Sequence, residues 1–342
     1  MYRYILNRLA TALVLALFAS LVVFLIASLV PGDPILAMLG DLAASKPEIV
    51  AEYRARWGLD KPLWEQYWIF LQRLFQGDLG TSITTGRPVL ADIAQYAPAT
   101  IELGTIAFVL AVVIGVPFGI AAAVWRDSWV DHAARFVSLI GVSSPVFWLA
   151  FIALTIFYGW LQISPGPGRL DAIAFPPPNV TGLFLIDAAI AGDWEALHSA
   201  AAHLVLPSLV LCAATLGLIT RMTRASMLDT LGQDYIRVAR AKGLRERAVM
   251  IRHALPNALI PVVTLGGLAY ANLLTGTVMT ETIFSWPGLG RYTFRSAVGL
   301  DLPAIMGMTL VFAIVYLVIN LLVDLSYAFF DPRIRLGQGG EK

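Results

Sequence analysis

Residues 9–30 form the feature that most limits what this chain can fold into. They make up 22 residues without a charged side chain. As an α-helix this run is about 33 Å long at 1.5 Å per residue, enough to cross the hydrocarbon of a bilayer. The run is too long for a secretory signal and lacks a small-x-small cleavage site before Pro31, so we expect a membrane-spanning helix and no removed leader.

Composition indicates that this run is one of several. Of the 342 residues, 58% are hydrophobic and 14% are charged, and the mean hydropathy is +0.73. Such a chain has too little polar surface for a soluble globular protein, so we expect an all-α polytopic membrane protein. The apolar runs predict six transmembrane helices, with a kink at Pro145 in the third; they are placed at residues 9–30, 98–125, 136–161, 203–220, 258–280 and 304–330.

The distribution of charge predicts the orientation of these helices. The segments expected on one side carry 15 Lys/Arg and seven acids, whereas those on the other carry nine Lys/Arg and fourteen acids. Because cytoplasmic loops are enriched in Lys and Arg, the first side is expected to be cytoplasmic. Both termini, the loop at 221–257 and the tail at 331–342 are then inside, and the insert at 31–97 is outside.

The insert at 31–97 has the mixed composition of a small folded element. Residues 53–57 and 63–74 are expected to form amphipathic helices whose aromatic rings lie at headgroup level; these rings are Trp57, Trp64, Tyr67 and Trp68. Two roles remain open for the insert: a lid that packs on the helices, or a docking surface for a substrate-delivery protein.

A charged block interrupts the apolar pattern at residues 226–261. Residues 221–252 carry eight Lys/Arg and three acids, so this part cannot lie in hydrocarbon. Asp234 is placed to cap a first helix at 235–242, and Gly243 to end it in the left-handed conformation. A second helix is expected at 245–255, with Pro256 interrupting backbone hydrogen bonding before the next span.

The first of these two helices carries a face of small residues. Ala239, Ala241 and Gly243 would let another protein approach closely, and cations surround them at Arg237, Arg240, Lys242 and Arg245. Such a face suits a groove on a cytosolic protein. A basic loop that only sets topology is one alternative. A DNA-binding helix-turn-helix is another, but the flanking spans argue against a nucleic-acid partner.

The spacing in this block resembles the EAA loop of ATP-binding-cassette importer permeases, which docks on the ATPase. Ala239, Gly243 and the pair Leu255-Pro256 occupy the places of the second small residue, the glycine and the Leu-Pro. Three positions depart from the pattern: Arg237, Val238 and His253. The resemblance implies a set of ATPase-coupling residues, namely Asp234, Tyr235, Arg237, Ala239, Arg240, Ala241, Lys242, Gly243, Leu244, His253, Leu255 and Pro256.

Longer strings extend the resemblance over essentially the whole chain. The similarity is to the dipeptide, oligopeptide and nickel branch of these permeases, through DYIRVARAKGL, RHALPNALIP, YILNRL, PGDP, WGLDKPL, GDLGTS, SSPVFW, HLVLPS, ETIFSWPGLGR and NLLVDLSYAFFDPRIR. It implies the type I importer permease fold in a bacterial inner membrane and, from the long insert, the first (B-type) of two paired permeases. It also implies a sister permease, two cytosolic ATPases that bind ATP and Mg, and an extracytoplasmic solute-binding protein. Dipeptides, longer peptides, glutathione and nickel chelates remain open as cargo.

Other motifs limit the chemistry of the chain itself. It lacks a G-x-x-x-x-G-K-[ST] phosphate loop, so we expect neither a bound nucleotide nor enzymatic activity in this chain alone. One cysteine, Cys212, excludes a cysteine-based metal cluster, and the four histidines form no ligand motif.

Three polar residues near the outer ends of the spans are candidates for a transport pathway: Glu102, Asn272 and Glu281. A proton-coupled secondary transporter that uses Glu102 and Asp324 is the alternative from another class. The absence of an internal repeat argues against it.

Overall fold

The computed structural model describes residues 2–29, 48, 51 and 60–330, and its only β pairing within them is an isolated bridge between Thr81 and Pro88. Five helices are long and apolar enough to cross a membrane, and a bent pair supplies a sixth span. The all-α architecture with six spans is confirmed. The helix expected at 53–57 with Trp57, and the tail at 331–342, lie outside the described residues.

Thirteen α-helices are defined within the described residues. In chain order they are α1 (Tyr2–Leu29), α2 (Leu63–Phe75), α3 (Val89–Val124), α4 (Trp129–Ser143), α5 (Val146–Ala153), α6 (Phe184–Ala191), α7 (Trp194–Leu231), α8 (Asp234–Ala241), α9 (Glu246–Ala248), α10 (Leu255–Thr275), α11 (Val278–Ile283), α12 (Leu289–Val298) and α13 (Leu302–Phe330). Two π-helical segments, Leu154–Trp160 and Val249–Ala254, follow α5 and α9.

Two spanning helices are longer than their apolar runs. Helix α3 begins nine residues before the expected start at 98, and α7 extends beyond 203–220 at both ends. The first turn of α7 is fixed by Asp193, whose side chain accepts the N–H of Ala196 at 2.9 Å. Hydropathy reports where a chain crosses hydrocarbon, whereas the helix ends depend on caps and on packing outside it.

The third span is broken and not simply kinked. Helix α4 and the segment formed by α5 and its π-helical turn meet at 103°. Ser144 is extended there, with φ −86° and ψ 129°, because a residue before proline is pushed out of the α region. The kink expected at Pro145 is therefore in the right place, but it ends one helix and starts another.

Helix α7 lies at the centre of the packing, against α3, α4 and α10. Glycines permit two of these contacts, since a Cβ on Gly119 would lie 2.6 Å from the Thr220 carbonyl oxygen and a Cβ on Gly217 would lie 2.7 Å from that of Ser138. A Cβ on Gly115 would likewise lie 3.3 Å from the Leu216 carbonyl oxygen, so small residues let α3 and α7 approach closely. A buried cluster joins α3, α7 and α10 through Leu103, Leu211, Ile219 and Val262, among others.

Asp301 ties the segment before α3 to the start of α13. Its buried carboxylate accepts hydrogen bonds from the Ser82 hydroxyl at 2.5 Å, the Thr84 N–H at 3.0 Å and the Ala304 N–H at 3.2 Å. Burial pushes the pKa of Asp301 upward, but these hydrogen bonds outweigh it and hold the pKa below its ordinary value of 3.8. The folded structure therefore favours the ionised form.

This pKa shift predicts an acid-sensitive attachment. A lowered folded pKa contributes stability that is complete above the unfolded pKa and is lost as pH falls through the folded pKa. As the pH is lowered below about 4, we expect the thermal unfolding midpoint of the wild type to decrease more steeply than that of Asp301→Asn. The difference between the two midpoints is therefore largest at neutral pH. Parallel midpoint curves for the two proteins would contradict this role of Asp301.

Candidate functional site

The charged block forms a short helix that leaves the end of α7. Gln233 precedes α8 in an extended conformation, and Asp234 is the first helical residue. The expectation that Asp234 caps this helix is wrong, because within the described structure neither side chain makes a capping hydrogen bond. Asp234 instead lies in the first turn, where its charge favours the helix dipole, and pairs with Arg237 at 3.1 Å.

The end of α8 follows the expected chemistry. Gly243 has φ +76°, in the left-handed region that glycine adopts without strain. The N–H of Gly243 bonds to the Arg240 carbonyl at 2.9 Å, and the N–H of Leu244 reaches the Ala239 carbonyl at 3.4 Å. This pair of bonds is a Schellman motif, so the chain turns sharply after Lys242.

The inner face of α8 packs against the chain's own helices. Ile236 and Ala239 are buried in a cluster with residues from α3, α7, α10 and the π-helical segment; these are Ala123, Met227, Val249, Ala254 and Ala258. The Tyr235 hydroxyl also accepts a hydrogen bond from the Asn257 amide at 2.9 Å. The expectation that Ala239 lies on an open face is therefore wrong, since it anchors α8 to the spanning helices.

The outer face of α8 is apolar at its centre and cationic around it. Tyr235, Val238 and Leu244 are about half exposed, and Ala241 and Gly243 are exposed beside them. The surrounding cations are Arg237, Arg240, Lys242 and Arg245, all exposed. We call this surface, from Tyr235 to Arg245, the coupling face. Because its backbone is fixed from below, it presents a preformed surface.

Arg240 is the cation of this ring with the best-defined partner. Its guanidinium contacts the Glu246 carboxylate at 2.5 Å and 3.1 Å. This hydrogen bond raises the pKa of Arg240 above its usual value. The pair joins α8 to α9 across the turn at Gly243, so it supports the shape of the coupling face.

Pro256 does not interrupt the backbone as expected. The chain is helical from α9 through the π-helical segment Val249–Ala254 into α10, where Pro256 lies in the first turn. A proline is tolerated in that turn because the π-helical turn before it already changes the hydrogen-bond pattern. Continuous helix therefore connects the coupling face to the membrane span. Within it, His253 and Leu255 are half-buried and Pro256 is exposed.

A cluster of charges that the sequence analysis missed joins α4 to the C-terminal part of α7. The Asp131 carboxylate on α4 is buried and accepts two hydrogen bonds from Arg224 on α7, at 2.5 Å and 2.8 Å. Arg135 adds a further contact at 2.5 Å. In the sequence, the spacing of four residues between Asp131 and Arg135 indicates an ion pair on one helix, but nothing indicates the contact with Arg224. The cluster locks α4 to the end of α7 from which α8 departs.

The structure places Glu281 inside the fold and not on an open wall. Its carboxylate accepts hydrogen bonds from the hydroxyls of Thr100 and Thr277, at 2.7 Å and 2.8 Å, and from the Arg291 N–H at 2.9 Å. A Cβ on Gly288 would lie 2.5 Å from this carboxylate, so the turn after α11 closes directly over it. The geometry gives Glu281 a structural role at the outer end of α3.

Replacing Glu281 by glutamine should destabilise the outer end of the protein. The glutamine amide nitrogen is a donor, and it would replace a carboxylate oxygen that now accepts hydrogen bonds. A buried donor left without an acceptor lowers the free energy of unfolding by about 1–3 kcal/mol. We expect a lower thermal unfolding midpoint for Glu281→Gln in detergent. Glu195→Gln is the matched control because Glu195 is exposed, and equal midpoints for the two variants would refute the assignment.

The other two pathway candidates differ in exposure. Glu102 is buried in an ion pair with Arg169, whose guanidinium lies 2.5 Å from its carboxylate and 3.6 Å from the centre of the Phe184 ring. Asn272 is exposed on α10. Asp324, the other acid considered for proton transfer, pairs with Arg8 of α1 at 3.1 Å. Among these residues, only Asn272 faces open space in this chain.

Arg169 is the single Lys or Arg in the loop at residues 162–202, and this was the only indication in the sequence of its ion pair with Glu102. The Glu102 carboxylate also accepts the Leu185 N–H at 2.9 Å, and Arg169 donates to the Gly182 carbonyl at 3.1 Å. The ion pair thus holds the proline-rich loop before α6 against the outer end of α3.

Comparisons with known proteins show the family of this chain. Residues 115–336 match the family described as binding-protein-dependent transport system inner membrane component, and residues 1–104 match the family's N-terminal model. The chain is 48% identical over 320 residues to the probable D,D-dipeptide transport system permease protein of Escherichia coli strain K12, covering 94% of this chain and 93% of that one. It is 43% identical over 338 residues to a dipeptide transport system permease protein of Alkalihalophilus pseudofirmus, covering 98% and 100%.

A solved structure supports the fold. The inward-facing MetNI methionine ABC transporter matches with a TM-score of 0.52 and 16% identity, covering 70% of this chain and 96% of that chain. At this identity the match concerns the fold alone. Six membrane spans, a charged helical block anchored between α7 and α10, and family matches over residues 1–104 and 115–336 lead to one assignment: this chain belongs to the inner membrane components of binding-protein-dependent transport systems.

Proposed function

We propose that this chain is one permease subunit of an ATP-driven importer of short peptides, and that it hydrolyses no ATP itself. The observation that supports this proposal most directly is the coupling face, a fixed apolar surface that is surrounded by cations and continuous with two membrane spans. The relatives named as dipeptide permeases support peptides as the cargo.

The proposed partners follow from this role. A homologous sister permease completes the pathway, two cytosolic ATPases bind ATP and Mg, and an extracytoplasmic solute-binding protein delivers the cargo. The coupling face enters a groove of one ATPase, with Val238 and Leu244 as its apolar contacts. His253, Leu255 and Pro256 then carry the motion into α10. Closure of the ATPases moves α8, and the helices α7 and α10 transmit this movement as rigid bodies.

The same proposal places both termini in the cytoplasm and the loop at residues 162–193 outside. The charge distribution supports this orientation, with 15 Lys/Arg and seven acids assigned to the inner side. Asn272, exposed on α10, is the pathway residue that we carry forward. An uncharged amide there could exchange hydrogen bonds with a peptide backbone without binding it tightly.

The test is purification of the chain with the products of its neighbouring genes, followed by ATPase measurements in liposomes. We expect two ATPases and a second permease to co-purify, and hydrolysis to rise when the solute-binding protein is loaded with a dipeptide. Glutathione and a nickel chelate serve as competing cargo. Stimulation by one of these alone would overturn the assignment of peptides, and uptake driven by a proton gradient without ATP would overturn the importer.

A further inference from the structure

Helix α2 is attached to the side of α1 and not to its outer tip. The Tyr67 hydroxyl contacts the Ser20 hydroxyl at 2.9 Å and the Leu17 carbonyl oxygen at 3.2 Å. The rings of Phe24, Tyr67 and Phe70 pack together with centroids 5.4–6.4 Å apart. Ser20 is 1% exposed, so this contact is a packed interface between the two helices.

The position of this contact along α1 gives α2 a depth. Phe24 lies five residues before Leu29, the end of α1, and Ser20 lies nine before it. At 1.5 Å per residue these distances are about 7.5 Å and 13.5 Å along the helix axis. Both residues belong to the charge-free run that spans the membrane. Helix α2 therefore lies beside the C-terminal part of a span and not beyond its end.

The aromatic residues that α2 leaves uncovered form one stripe. Trp64, Trp68 and Phe75 are 70%, 60% and 76% exposed, and spacings of four and seven residues place them on the same side of a helix. The stripe adjoins the face of α2 that packs on α1 through Tyr67 and Phe70. The opposite side of α2 carries polar residues, among them Gln66 and Arg73.

The charges of α2 pair locally. Lys61 lies 3.7 Å from Glu65, and Arg73 lies 2.7 Å from Asp78. Attraction to anionic headgroups is therefore weak, whereas indole rings favour the boundary between headgroups and acyl chains by themselves. We propose that α2 is an interfacial helix that inserts Trp64, Trp68 and Phe75 into the outer leaflet and fixes α1 in the bilayer. The outer leaflet covers this stripe in preference to a protein partner.

The experiment measures the depth of α2 with nitroxide labels. The only native cysteine, Cys212, is replaced by alanine, and a label is attached through Trp68→Cys or, as a second site, Trp64→Cys. Gln66→Cys is the matched control because position 66 lies two residues from both tryptophans, about 160° around the helix from each, on the polar side. The full-length chain is reconstituted in phosphatidylcholine liposomes, alone and with its co-purified subunits. Accessibility of each label is measured to oxygen, which enters lipid, and to a water-soluble nickel complex.

We expect the labels at 64 and 68 to be accessible to oxygen and shielded from nickel, and the label at 66 to show the reverse. The pattern should not change when phosphatidylglycerol is added. Equal nickel accessibility at 68 and 66 would place α2 in water and overturn the proposal. Loss of access to both reagents at 64 and 68 in the complex would overturn it in favour of a protein partner. The measurement requires no transport, so its outcome is independent of the proposed cargo.

Discussion

Substitution of Arg169 by methionine is expected to destabilise this protein more than any other single change considered. It would leave the Glu102 carboxylate buried without its cation, since the two side chains are only 9% and 4% exposed. Breaking a buried ion pair from one side costs about 3–5 kcal/mol. We expect a much lower thermal unfolding midpoint in detergent and earlier proteolysis of the loop before α6.

A double variant separates the ion pair from general packing. Glu102→Gln combined with Arg169→Met removes both charges, and the glutamine oxygen can still accept the Leu185 N–H. We expect the double variant to be more stable than Arg169→Met alone, because the cost lies in the uncompensated charge and not in the lost attraction. If the two substitutions are additive, the buried pair does not hold the loop in the manner described.

Replacement of Gly243 by valine is expected to abolish peptide-stimulated ATP hydrolysis while the chain still inserts and binds its sister permease. Gly243 has φ +76°, and a β-branched residue held there costs about 1–3 kcal/mol of backbone strain. Apart from its two neighbours in the chain, no described residue has an atom within 4 Å of a Cβ at that position. The loss would therefore come from a changed turn or from a collision with the ATPase.

Two controls distinguish these causes. Gly232→Val introduces the same side chain at an exposed glycine with an ordinary φ of −78°, at the start of the same segment, and should keep coupling. Gly243→Asn retains a residue that accepts the left-handed conformation. Coupling in the asparagine variant would identify the turn as the requirement, and its loss would identify the partner's surface. Wild-type coupling in Gly243→Val would remove the coupling face from the mechanism.

Much of the fold could be predicted from the sequence because it depends on local chemistry. A charge-free run long enough to cross a bilayer must form a helix, since lipid offers no partner for backbone N–H and C=O groups. The end of α8 at Gly243 and the break at Pro145 likewise follow from the backbone preferences of single residues. The starts of α3 and α7 could not be predicted, because the packing around Val89 and the cap at Asp193 determine them.

The sequence by itself thus determined the number of spans, the position of the charged block and the turn that shapes it. Only the tertiary structure decided which side chains are available to a partner. Ala239 faces inward because α3, α7 and α10 converge on it, and Glu102 is neutralised by Arg169, a residue 67 positions away. Glu281 is enclosed by Thr100, which is 181 positions distant. Burial and pairing of this kind arise from long-range packing, which no local pattern encodes.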